Sequence, residues 1–169
     1  MSLAREIAPH LPLLRRYARA LTGAQDSGDA FVAAALEAIV ASPDEFPRDL
    51  DPRVGLYKIF HGIWSSANIE VDEDPDKETT KGARKAQERL QRLPPLNRQA
   101  LLLTTLESFT AQETALILDR SAPDVNALLE DALDDLDKQT KARILIIEDE
   151  AVIAMDLSDL VSASGHDVC

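Results

Sequence analysis

The sequence predicts a mostly α-helical fold: two small helical bundles followed by an incomplete α/β segment. Three observations carry this. Apolar residues recur at helical spacing through most of the 169 residues. Two of the helical stretches stand back to back between Thr110 and Lys138, each with a capping residue at its start and a tight turn between them, the outline of a helix-turn-helix. The pattern changes after Ala142, where Ile144-Leu145-Ile146-Ile147 is a continuous apolar run followed by Glu148-Asp149-Glu150 and one more amphipathic stretch.

Composition narrows the function. A formal net charge of −12 disfavours nucleic acid or an anionic membrane as a partner and leaves a basic protein open. The single cysteine, Cys169, permits no disulfide framework and no CxxC metal site, which fits a reducing compartment. No apolar run is long enough to span a bilayer, and the N-terminus lacks the apolar stretch of a signal peptide, so cytoplasmic location is the default expectation.

The first domain is expected over residues 1–68. Ser2 can cap an initial turn, and Pro9 and Pro12 allow a fresh helical start near Ala8. From there Leu11, Leu14, Tyr17, Ala18 and Leu21 form a stripe, with Arg15, Arg16 and Arg19 beside it on what reads as a solvated face. Gly23 suits a C-terminal cap. A second helix is predicted over Asp29–Ala41, burying Phe31, Leu36, Ile39 and Val40. Asp51 as cap and Pro52 at the first helical position start a third. That helix carries Val54, Leu56, Tyr57, Ile59, Phe60, Ile63 and Trp64 on more than one side and should be central to its bundle. His61 lies on it and reads as packed rather than catalytic, since no second His, Cys or paired carboxylate is near in sequence.

Residues 69–82 are acidic, poor in apolar groups, and contain Pro75 and Gly82, which predicts a linker. The second domain is expected over 83–138. A short charged helix runs to Leu93, Pro94-Pro95 separates it from Leu96–Glu107, and the helix-turn-helix follows. In that motif Thr110 and Glu113 form a capping box, the first helix stops near Asp119-Arg120, and Ser121 caps the second with Pro123 in its first turn. A DNA-reading helix at this position needs Lys or Arg for phosphate contacts. Here Asp124, Glu130, Asp131, Asp134, Asp135 and Asp137 face outward, and Lys138 is the one cation. The shape of a DNA-binding module is present and its electrostatics are reversed.

Residues 139–169 predict a strand, buried on both faces, then a helix carrying Val152, Ile153, Met155, Leu157, Leu160 and Val161, a stop at Gly165, and the start of a second strand. One strand-helix-strand unit cannot close a doubly wound sheet, which predicts a piece of a longer protein.

These stretches resemble known families. ARILIIEDEAVIAMDLSDLVSASGHDV resembles the opening of a two-component receiver domain. The resemblance implies that Glu148 and Asp149 are the acidic pair that helps hold Mg²⁺ beside a phosphorylatable aspartate, and hard oxygen ligands suit that ion. The segment with the phosphoacceptor is absent from this chain, so the pair is not expected to act here and no cofactor is expected for these 169 residues. RRYARALTGAQDSGDAFVAAALEAIV resembles sigma region 2 of extracytoplasmic-function sigma factors, and LPPLNRQALLL, FTAQETALIL and the helix after them resemble region 4. A sigma-like module on the N-terminal side of a receiver is the arrangement of the PhyR family of the alphaproteobacterial general stress response. The resemblance implies an anti-anti-sigma factor: a sigma mimic that sequesters the anti-sigma factor NepR once the receiver is phosphorylated by a histidine kinase or another phosphodonor. A genuine DNA-binding sigma factor or regulator is the alternative, and the charge of the second helix of the helix-turn-helix speaks against it. An enzyme is not expected, because the sequence offers no nucleophile–base pairing, no glycine-rich phosphate loop and no metal cluster beyond the acidic pair.

Overall fold

The computed structural model of the chain describes residues 3–66 and 81–169, with side chains throughout except at 81–83. The chain divides into two compact units, Met1–Ala132 and Leu133–Cys169.

The first unit is helical. Helix α1 (Leu3–Ile7) passes through a 3₁₀ turn at Ala8–His10 into α2 (Leu11–Thr22), the break falling where Pro9 and Pro12 place it. Leu14, Tyr17, Ala18 and Leu21 are all buried, so the stripe read from the sequence is the inner face of α2. Gly23 closes α2 with a left-handed φ of 84° and donates its N–H to the Arg19 carbonyl at 2.9 Å.

Helix α3 spans Gln25–Ala41, four residues longer at its start than the sequence suggested. Gly28, just ahead of the expected start, sits inside the helix where α3 crosses α2. A Cβ there would lie 2.9 Å from the Arg19 backbone nitrogen and 3.0 Å from the Ala18 carbonyl carbon. Its missing side chain lets the two backbones approach, which outweighs its poor helix propensity. The buried set also shifts: Val32, Ala35 and Ile39 are inside, Phe31 and Leu36 are half-buried, and Val40 is 79% exposed, contrary to its expected burial. With Val32, Ala35 and Ile39 turned inward at i, i+3 and i+7, position 40 falls off that face.

Helix α4 (Pro52–Ser66) starts as expected, with the Asp51 carboxylate accepting from the Arg53 N–H at 2.8 Å. It packs against α1, α3 and, from the second predicted domain, α7 (Ala111–Leu118). Tyr57 and Phe60 are fully buried on it, and Tyr17 of α2 lies 5.4 Å from the first ring and 5.9 Å from the second.

The stretch expected as a linker lies outside the described residues as far as 80, and from Lys81 the chain is helical as α5 (Lys81–Gln91). Helix α6 (Pro95–Leu101) runs into a π-helical turn at Leu102–Leu106, in which the Glu107 N–H reaches back to the Leu102 carbonyl at 3.2 Å. Leu102, Leu103, Phe109 and Ile117 belong to the same apolar core as Leu14, Tyr17 and Tyr57, so the two predicted bundles share one core. Helix α8 runs Ala122–Thr140.

The second unit contains a strand-helix-strand motif. Strand β1 (Arg143–Ile144) pairs in parallel with β2 (Asp167–Val168), with α9 (Ala151–Ala163) as the crossover. Gly165, at φ 81°, turns the chain out of α9 as expected. The expected doubly buried strand is not what forms. Pairing covers only Arg143 and Ile144, while Leu145 is 64% and Ile147 88% exposed. Burial of a parallel strand needs neighbours on both edges and helices on both faces, and among the described residues β1 has one paired strand.

Candidate partner-binding surface

The helix-turn-helix is fixed at each of its joints. The Thr110 hydroxyl oxygen accepts from the Glu113 N–H at 3.2 Å, and the Glu113 carboxylate accepts from both the N–H and the O–H of Thr110 at 2.8 Å. This is the reciprocal capping box read from the sequence. Thr110→Ala removes both side-chain bonds and is expected to lower stability by about 1 kcal/mol, read as a shifted urea midpoint with unchanged slope.

Helix α7 stops at Asp119, which is left-handed with φ 51°. Lys58 reaches over from α4, donating to the Leu116 carbonyl at 2.8 Å and pairing with the Asp119 carboxylate, so a cation sits at the negative end of α7. Ser121 then caps α8. Its hydroxyl oxygen accepts from the Asp124 N–H at 3.2 Å, and the Asp124 carboxylate takes the Ser121 O–H at 2.7 Å, which holds that carboxyl below its usual range. Asn97 of α6 donates to the Leu128 carbonyl at 3.2 Å and ties α8 to α6.

Val125 and Ala132 are the residues that α8 buries. Asp124, Glu130, Asp131, Asp134 and Asp137 are exposed. Lys138, the one cation of α8, lies 3.4 Å from Asp135. The helix that would enter a major groove therefore offers carboxylates to solvent, and phosphates would be repelled from it.

The N-terminal arginines are not simply a solvated face. Arg15 forms a two-pronged pair with Asp29 across α2 and α3, at 2.8 and 2.6 Å. Arg16 grips Glu107, whose side chain is fully buried. One Glu107 oxygen accepts from the Arg16 Nε and Nη2 at 3.2 and 2.8 Å. The other accepts from the Arg53 Nη2 at 3.0 Å and from the Tyr57 O–H at 2.8 Å. Arg53 also donates to the Glu107 carbonyl at 2.6 Å and stacks on the Phe109 ring at 4.2 Å. Sequence reading missed Glu107 and Arg53. A glutamate after a leucine run reads as a polar helix end, and no spacing rule pairs it with arginines at a separation of 91 and 54 residues.

His61 is packed, as expected. The Tyr17 hydroxyl lies 2.8 Å from its Nε2. Burial lowers its pKa to about 3, with the nearby Gln99 side chain acting in the opposite sense, and burial holds the Tyr17 phenol well above its ordinary value. The ring is therefore neutral near pH 7, and Tyr17 donates to Nε2.

Glu148 and Asp149 are both exposed in the turn after β1. One Glu148 oxygen accepts from the Asp149 and Glu150 N–H groups at 2.9 and 3.1 Å, so it closes the turn. Among the described residues no group of three His, Cys, Asp or Glu is placed to hold a metal. Among the described residues no helix is long and apolar enough to cross a membrane.

Comparison with known proteins agrees with this geometry. The family model for the Sigma2 domain of PhyR matches residues 7–61, and that for the response regulator PhyR, sigma-like domain, matches residues 90–139. The phyllosphere-induced regulator PhyR of Methylorubrum extorquens is 42% identical over 168 residues, covering 99% of this chain and 61% of that protein. The anti-anti-sigma factor PhyR of Bartonella quintana, crystallised with the anti-sigma factor NepR, is 41% identical with a TM-score of 0.79, over 99% of this chain and 62% of that one. PhyRSL of Sphingomonas sp. Fr1, in its NMR complex with NepR, is 50% identical with a TM-score of 0.69, over 82% of this chain and 88% of that one. The sigma-like halves, the acidic α8 and these matches lead to one assignment: the chain belongs to the PhyR family of response regulators with a sigma-like domain.

Proposed function

We propose that this chain is an anti-anti-sigma factor: it mimics a sigma factor and sequesters a NepR-type anti-sigma factor. Its work is binding rather than catalysis. The observation that carries the reading is the acidic α8 on an intact helix-turn-helix frame. A decoy needs the shape and apolar contacts of a sigma factor and has no use for phosphate-binding charge. The relatives from Bartonella quintana and Sphingomonas are described in complex with NepR, which supports the same partner here. Val40, Leu96 and Leu116 are exposed apolar residues in the first unit and are available to a helical partner. A net charge of −12 would speed the approach of a basic one.

In the full switch a histidine kinase or other phosphodonor acts on a receiver domain, and phosphorylation changes the population able to bind. Glu148 and Asp149 would be two oxygen ligands for Mg²⁺ in such a complete receiver. The reading places the protein in the cytoplasm, with the transcription machinery. It is tested with a labelled sigma-type promoter duplex titrated at low salt, where attraction to phosphate is strongest. No saturable binding is expected. Sub-micromolar saturable binding that weakens with salt would favour a DNA-binding sigma factor instead.

A further inference from the structure

We propose that Glu107, with Arg16 and Arg53, is a latch that fixes the two sigma-like halves in one mutual arrangement before the partner arrives; this rests on the partner-binding reading above. The halves are matched separately, at residues 7–61 and 90–139. Glu107 belongs to the second, and Arg16, Arg53 and Tyr57 to the first. Both carboxylate oxygens are taken up by side chains of the first half. Two backbone carbonyls beside them are held as well, Leu106 by Arg16 at 3.0 Å and Glu107 by Arg53 at 2.6 Å.

The backbone is shaped for this contact. The π-helical turn at Leu102–Leu106 precedes Glu107, and Ser108 follows it with φ 57°. A non-glycine residue in that region is costly and persists where its surroundings over-determine it. Phe109 then inserts against Tyr57 at 4.9 Å between centroids.

Stability alone does not call for this cluster, since apolar residues of similar volume often serve as well or better in place of a buried ion pair. Guanidinium groups add direction, because their planar donors reach a carboxylate only in a narrow range of positions, whereas an apolar contact can slide. A partner that touches both halves gains from meeting them already set, because it does not bear the cost of ordering them.

The test uses the whole chain with Glu107→Gln, and with Arg53→Lys as a milder variant that keeps the charge and loses the planar guanidinium, whose Nη2 bridges the Glu107 carboxylate and carbonyl and whose plane stacks on Phe109. Each is first shown to be folded by its amide spectrum at the working temperature. Residual dipolar couplings of the two halves then report their mutual orientation without any partner. Stopped-flow mixing with purified NepR gives the association and dissociation rates. If the latch sets the binding-competent population, apparent affinity falls in proportion to that population, so E107Q is expected to slow association about tenfold with dissociation nearly unchanged. R53K should shift both the couplings and the association rate in the same direction by less. Wild-type couplings in E107Q would overturn the latch whatever NepR does, as would loss of affinity through faster dissociation alone. Failure of the wild-type chain to bind NepR would count against the partner reading, and the couplings would still decide the latch. Where E107Q does not fold, R53K decides both measurements, and a wild-type result in it overturns the proposal.

Discussion

Glu107→Ala is expected to lower the stability of the first unit by about 3 kcal/mol, the lower end of the range for removing one partner of a buried charge cluster. The carboxylate is fully buried and accepts four side-chain hydrogen bonds, so its removal strands the Tyr57 hydroxyl and leaves the two guanidinium groups with only their backbone carbonyl partners. The arginines limit the damage. The Arg16 side chain is 50% exposed and Arg53 23%, so both can turn partly to water. Glu107→Gln should cost less than alanine, because it keeps the volume and one acceptor while placing an amide N–H₂ against donors. Urea unfolding of the three proteins at pH 7 checks the order wild type, glutamine, alanine. Equal midpoints for all three would mean that the cluster carries no net stability.

The second large effect is on acid stability. His61 has a folded pKa of about 3 against 6.5 when exposed. Between those values the unfolded chain binds a proton that the folded chain does not. Stability from this group is therefore fully present above pH 6.5 and is lost as pH falls toward 3, at up to about 1.4 kcal/mol per pH unit. Asp29, lowered by its hydrogen bond to Arg15, and Asp124, lowered by Ser121, act in the same direction but only below their ordinary value of 3.8. The fall between pH 6.5 and about 4 is thus assigned to His61. Urea midpoints measured across that range should decline in the wild type and flatten in His61→Gln, whose side-chain carbonyl can still accept from Tyr17. A parallel decline in both proteins would remove His61 as the cause.

Local features were legible in the sequence because neighbouring residues alone determine them. The Thr110–Glu113 box, the Ser121 cap, the Asp51-Pro52 start and the Gly23 stop each follow from residues within four positions of one another. The inner face of α2 was equally plain, since Leu14, Tyr17, Ala18 and Leu21 keep helical spacing. Apart from Val40, which the phase of α3 turns outward, the misreadings come from contact between residues apart in sequence. The start of α3 ahead of Asp29 is not visible until α2 is laid against Gly28. Arg16 looks like a surface charge until Glu107 arrives from 91 residues away. The Ile144–Ile147 run has the composition of a buried strand, yet its burial depends on neighbours that its own residues cannot supply. The acidic face of α8 was visible from the start, and it is the feature on which the functional reading rests.

The central claim is that this chain binds an anti-sigma protein through a sigma-like surface. Calorimetric titration of the whole chain with purified NepR tests it most directly. The account predicts a saturable one-to-one complex whose affinity falls with added salt, as expected for an acidic surface steering a basic partner. The absence of any heat of binding or complex at micromolar concentrations, with the chain shown to be folded, would contradict it.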